Sequence, residues 1–140
     1  MNTKEAQQSN TIRAKRLELI DSQGRVRAVF GIGEDNQPSL QLLRQDGSMA
    51  FSLSTYVLSD ADSDQHETEK GECSRLEFFD MQGISRMRLQ MSDEWPQYPG
   101  ISLIDSEGKR LIGLVVTPDD DAEIVIEDGH GRPIWMKRNR

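Results

Sequence analysis

The acidic stretch 59–72 contains the pattern closest to a metal-binding motif. Its aspartates alternate with other residues, at Asp60, Asp62 and Asp64, as they do at the start of a calcium-binding loop. Gln65 stands where such a loop needs a glycine, and Gly71 stands where it needs a bidentate glutamate. We therefore expect a solvated acidic loop in this stretch rather than a calcium site.

Other side chains that could bind metal or act as nucleophiles are isolated along the chain. His66 and His130 lie in separate segments, and Cys73 is the single cysteine, so no spacing matches a zinc site. Gly31 and Gly33 form half of a dinucleotide-binding fingerprint, without the helix that should follow it. No serine or cysteine stands in a nucleophile-elbow pattern. The sequence thus predicts no catalytic residues, no metal ligands and no cofactor.

Aromatic and basic residues supply the candidates for contact with another molecule. Trp95 and Tyr98 are clustered in one proline-containing segment, and both residue types are favoured at interface hot spots. Trp135 and Arg138 belong to a basic C-terminal stretch of an acidic chain, which could dock an acidic surface, including that of another copy. These four are the candidate interface residues. Capping of the core and a frayed C-terminus are the alternative interpretations.

The composition limits the classes of partner. The chain has 140 residues and a formal net charge of −7, which fits a single acidic domain. Binding to nucleic acid needs clustered Lys and Arg, and anionic lipid repels an acidic surface. Neither nucleic acid nor a membrane is therefore an expected partner. The single cysteine, the lack of a long apolar run and a polar N-terminus favour a cytoplasmic protein.

A short repeat accounts for most of the sequence. Its pattern is apolar-x-apolar-apolar-Asp-x-x-Gly followed by a second strand-like run, as in residues 17–30, 76–89 and 101–114. Two weaker copies complete the set, and the second copy carries Arg44 in place of the aspartate. The glycines are 23, 36, 25 and 23 residues apart, at Gly24, Gly47, Gly83, Gly108 and Gly131.

Each Asp-x-x-Gly is typical of the tight turn of a β-hairpin. Asp bonds the backbone two residues on, and Gly tolerates a positive φ. The predicted turn residues are Asp21, Gly24, Gly47, Asp80, Gly83, Asp105, Gly108 and Gly131. If four residues form each loop, Ile20 lies opposite Arg25 and Glu18 lies opposite Arg27. The same rule sets Glu77 opposite Arg86.

This register collects apolar side chains on one face of each hairpin, since side chains alternate along a strand. In the first hairpin the face holds Leu17, Leu19, Val26, Ala28 and Phe30. In the second it holds Leu40, Leu42, Met49, Phe51 and Leu53, and in the fourth Ile101, Leu103, Ile112 and Leu114, with Arg110 as an exception.

The predicted fold is all-β, with about five tandem antiparallel hairpins of period 23–25 residues. Such a meander must bury its apolar face, by closing as a hairpin stack or prism, by closing as an up-and-down barrel, or by forming an oligomer. We expect a flexible N-terminal segment at 1–11, one domain at 12–136 with the acidic insertion at 59–72, and a basic C-terminal tail at 137–140.

The hairpin units and their Asp-x-x-Gly-Arg/Lys turns resemble the YD repeats of RHS-type bacterial proteins. They are similar at class level to MORN and WG repeats as well. The resemblance covers residues 17–136 and implies a tandem β-hairpin architecture in a bacterial protein. It implies no functional residues, because this chain has Ile or Phe where YD repeats have tyrosine. It also lacks the MORN glycine pattern and the Trp-Gly pair of WG repeats.

Three classes of function remain open. The first is a non-catalytic structural or protein–protein interaction module, whose partner is another protein or a second copy, because the recurring residues all have structural roles in the hairpin. The second is a β-barrel that binds a small apolar ligand. The third is an enzyme without a recognisable motif.

Overall fold

The described part of the chain forms ten β-strands in succession. The computed structural model describes residues 11–57, 72–91, 99–117 and 121–139. The strands are β1 (Arg16–Ile20), β2 (Val26–Ile32), β3 (Pro38–Leu43), β4 (Met49–Val57), β5 (Glu72–Phe79), β6 (Ser85–Met91), β7 (Gly100–Ile104), β8 (Arg110–Val116), β9 (Ala122–Glu127) and β10 (Pro133–Arg138). The all-β prediction is confirmed. In the described part of the chain, no helix is long and apolar enough to cross a bilayer.

All ten strands belong to one antiparallel meander sheet, in the order β1 to β10. Among the described residues each strand pairs only with its neighbours in sequence, so β1 and β10 are open margins. The sheet is therefore not closed, and the barrel alternative is wrong. The hairpin turns lie along one side of the sheet, the turn edge, and the connections between hairpins lie along the other, the connection edge.

Each turn is a three-residue loop closed by a left-handed glycine. In the first hairpin the Asp21 N–H donates to Arg25 O (2.9 Å) and the Gly24 N–H donates to Asp21 O (2.9 Å). Gly24 has a φ of 76°, which makes this a type I turn followed by a glycine bulge. The other four hairpins repeat both bonds. Because Asp21 and Arg25 belong to the closing pair, Ile20 lies opposite Val26 and not Arg25.

In each hairpin, one residue near the start of the second strand has no partner on the first strand. This residue shifts the strand register by one further position. In the first hairpin Ile20 pairs with Val26 but Leu19 pairs with Ala28, so Arg27 is a β-bulge. The equivalent residues in the other hairpins are Ala50, Arg86, Leu111 and Ile134.

The bulges overturn the predicted charge pairs. Glu18 lies opposite Val29 rather than Arg27. Glu77 lies opposite Arg88 rather than Arg86, and its Oε1 is 2.9 Å from Arg88 Nε.

The bulges also correct the predicted membership of the apolar face. Val26, Met49 and Arg110 lie opposite Ile20, Leu43 and Ile104, and directly opposed residues share a face. These residues therefore belong to the other, mainly polar face. Gly113 makes room there for the Arg110 side chain, because a Cβ at Gly113 would lie 3.3 Å from Arg110 Cδ.

The fifth turn offers a direct test of the glycine requirement. Gly131 has a φ of 75°, so Gly131→Ala should cost about 1–2 kcal/mol of local stability. Gly129 lies in the same turn with open space around its Cα and no positive φ, so Gly129→Ala should be neutral or slightly stabilising. Urea unfolding and amide exchange in β9 and β10 measure both variants. Equal effects of the two substitutions would contradict the assigned turn.

Candidate interaction surface

Two uninterrupted rows of directly opposed side chains cross the whole sheet on one face, which we call the apolar face. The connection-side row contains Leu17, Phe30, Leu40, Leu53, Leu76, Leu89, Ile101, Leu114, Ile124 and Lys137. The turn-side row contains Leu19, Ala28, Leu42, Phe51, Phe78, Met87, Leu103, Ile112, Ile126 and Trp135. In these rows Lys137 is the only charged member. Near the middle of the sheet the Phe51 and Phe78 rings meet edge to face, with centroids 5.3 Å apart.

The apolar face is open to solvent. Twelve of its large side chains are exposed, from 37% at Ile112 to 68% at Leu19. The other large members of the rows are half-buried: Leu40, Phe51, Leu76, Met87, Ile101 and Ile126. The apolar side chains of the described residues that are buried all lie on the polar face: Val29, Cys73, Ile104 and Val125. Long polar side chains cover apolar neighbours with their stems, which accounts for the burial of these residues on the polar face. No described element lies over the apolar face.

A shallow depression lies within this face at the connection edge. Its lining is almost wholly apolar and includes Met91, Ile101, Leu114 and Val116. Ile101 and Leu114 belong to the connection-side row. Met91 lies two residues beyond the row member Leu89 on β6, and Val116 lies two residues beyond Leu114 on β8. The depression is therefore part of the apolar face and not a separate site.

The predicted interface residues are distributed over different parts of the molecule. Trp135 lies in the turn-side row and is 47% exposed. Arg138 lies on the polar face, where its Nε is 3.2 Å from Asp121 Oδ2. Trp95 and Tyr98 lie outside the described residues, as does the acidic stretch up to Gly71. The aliphatic rows are not among the four candidate interface residues, although the sequence leaves burial of the apolar face in an oligomer open as one of three outcomes.

A cluster on the polar face contains a tyrosine and a cysteine, whose side chains can be reactive. Tyr56 and Cys73 lie opposite each other on β4 and β5, and Arg75 stacks on the Tyr56 ring with its Cζ 4.3 Å from the centroid. Burial raises the pKa of Tyr56, although the charge of Arg75 acts in the opposite direction. Cys73 is only 1% exposed, so an incoming substrate cannot reach its thiol. We interpret the cluster as packing and not as a catalytic site.

The turn aspartates stabilise the loops that follow them. Asp21 Oδ1 accepts hydrogen bonds from the backbone N–H groups of Gln23 (2.9 Å) and Arg25 (3.0 Å). Equivalent bonds are made by Asp80, Asp105 and Asp128. In the second hairpin Arg44 replaces this aspartate, and Asp46 accepts from the Ser48 N–H and hydroxyl instead.

Arginines fasten each hairpin to the next along the turn edge. Arg27 Nε donates to Leu43 O (3.2 Å), and Arg86 Nε donates to Ile104 O (2.9 Å). At the other two junctions between hairpins, Arg44 donates a hydrogen bond to Phe79 O and Arg110 donates one to the Glu127 carboxylate. In every case the acceptor residue directly precedes the next turn. These four arginines thus contact groups of the sheet itself.

These contacts predict an acid-sensitive first turn. Desolvation raises the pKa of Asp21, but bonds from the backbone of Arg25, its guanidinium and the backbone of Gln23 outweigh it, and the pKa falls from 3.8 to about 2. Because the folded carboxyl binds protons less readily than the unfolded one, its stabilisation is complete above pH 3.8 and is lost as the pH falls towards about 2.

Asp21→Asn keeps an acceptor oxygen for the turn but has no titratable group. We expect protection of the Gln23 and Arg25 amides, corrected for intrinsic exchange, to fall between pH 3.8 and about 2 in the native protein. The variant should show a flatter dependence. The same pH dependence in both proteins would contradict the role of Asp21.

The described residues contain no group of three or more His, Cys, Asp or Glu side chains placed to hold a metal ion. No protein-family model matches the chain, and the search of curated proteins finds no match either. In the described part of the chain, the apolar face is a continuous feature with twelve exposed large side chains.

Proposed function

We propose that this chain is a non-catalytic structural and protein–protein interaction module, and that its apolar face is the contact surface. The observation that carries the proposal is the pair of rows crossing all ten strands with their side chains open to solvent. Soluble chains rarely expose a contiguous apolar patch of more than a few hundred Å², and larger patches mark contact sites.

The size of the face supports this proposal. With strands 4.7–4.9 Å apart and residues about 3.4 Å apart along a strand, the two rows cover about 45 Å by 14 Å, or roughly 600 Å² of flat area. Exposed Ile32, Met91 and Val116 extend the patch towards the connection edge. The face is therefore at or above the upper limit of the largest patch on a typical monomer.

The two open margins of the sheet are less suited to contact than its face. β1 is preceded by Arg13 and Lys15 and begins at Arg16, and β10 begins with Pro133 and ends with Lys137 and Arg138. Lysine and proline on an edge strand discourage pairing with a further strand. Both margins are basic, so joining one margin to the other would also bring like charges together.

Neighbouring residues of β3 with opposite orientations allow a matched test. Leu42 belongs to the turn-side row, while Gln41 lies opposite Val29 on the polar face. In dilute protein that sediments as a monomer, an environment-sensitive apolar dye should bind the wild type. Leu42→Lys should reduce that binding several-fold because it places a charge within the patch. Gln41→Lys should leave it unchanged.

Circular dichroism checks that both variants keep the sheet. The proposal fails if the monomeric wild type does not bind the dye, or if the two substitutions change binding equally.

A further inference from the structure

We infer that the occupant of the apolar face is a second copy of this chain, packed face to face to form a two-layer β-sandwich. This inference rests on the proposed function and adds the identity of the partner. In the described part of the chain no element lies over the face, and each strand contacts only its neighbours in the sheet. The described strands therefore leave room for a second layer over this face.

The area fits a stable homodimer. Face-to-face packing of two copies removes about 600 Å² of flat area from each, or roughly 1,200 Å² in total, before Ile32, Met91 and Val116 are included. Specific interfaces bury about 1,200–2,000 Å². The total buried area reaches this range only if most of the face is covered. A second sheet of the same width can cover it.

The symmetry of the face also fits a second copy. A two-fold axis lying between the sheets brings the same patch of both copies together. The axis can lie parallel to the strands or parallel to the rows. Because the rows run across all ten strands, both orientations place apolar side chains against apolar side chains. Sheets pack in this way about 10 Å apart with aligned strands.

The charge distribution permits this contact and predicts its salt dependence. The two rows contain one charged residue, Lys137, so a self-contact buries few charges. Each copy nevertheless carries a formal net charge of −7, and the copies repel each other at long range. Salt screens this repulsion, so the homodimer should tighten with ionic strength. A basic partner held by charge attraction would be released instead.

Sedimentation equilibrium of the full chain over a dilution series tests the inference. The wild type should approach twice the 15.9 kDa mass of one chain and dissociate on dilution, with a smaller dissociation constant at higher salt. Leu89 and Gln90 supply a matched pair, since Leu89 lies in the connection-side row and Gln90 lies opposite Arg75 on the polar face. Leu89→Glu should weaken dimerisation at least about tenfold. Gln90→Glu should change it by less than about threefold.

Each alternative outcome has a defined meaning. If Leu89→Glu loses its β-sheet circular dichroism, Ile124→Glu in the same row replaces it. A wild type that stays monomeric up to the highest concentration of the series and binds the apolar dye overturns the homodimer but leaves the proposed function standing. A wild type that stays monomeric and does not bind the dye overturns both. A dimer that survives Leu89→Glu and Ile124→Glu with unchanged affinity places the contact elsewhere and overturns the inference.

Discussion

The β-bulge after each turn is the constraint on which the two-faced character of this sheet depends. Side chains alternate along a strand, so a shift of one residue would transfer a whole strand's apolar set to the other face. The bulge residue, Arg27 in the first hairpin, absorbs one position and restores the alternation beyond the turn. Because all five hairpins repeat it, the apolar side chains of successive units fall into common rows.

The same bulge has a second consequence at the turn edge. Bulges redirect side chains, and two of the bulge residues, Arg27 and Arg86, reach the backbone carbonyl that precedes the next turn. Where the bulge residue is not an arginine, Arg44 at the start of the turn or Arg110 next to the bulge makes the connection. The bulge therefore aligns the rows in all five hairpins, and at two of the four junctions the bulge residue also links consecutive hairpins.

The repeat pattern was enough to predict the strands, their antiparallel order and most of the apolar face. It was not enough to predict the register, because Asp-x-x-Gly is compatible with loops of different length and the bulge has no residue type of its own. Arg27, Ala50 and Ile134 all occupy the bulge position. Arg110 shows the effect of the wrong register. The predicted register places it on the apolar face as an exception, whereas in the structure it lies opposite Ile104 on the polar face.

The contact surface was harder to predict than the fold. Tryptophan and tyrosine in loops stand out in a sequence, whereas Leu53 or Leu89 has the same pattern in a covered interior as on an open face. Only the open order of the strands and the exposure of these side chains separate the two cases. Trp135 was selected for its residue type, and its place in the turn-side row depends on the bulge at Ile134.

Hydroxyl-radical footprinting across a dilution series tests the central claim most directly, because it reports which face is covered at each concentration. We predict that Phe78, Met87 and Trp135 on the apolar face are protected in concentrated protein and become reactive on dilution. Reactivity at Met136, which lies opposite Val125 on the polar face, should stay constant. Protection of the apolar face that does not change with concentration would show that the chain covers this face itself, and would contradict the account.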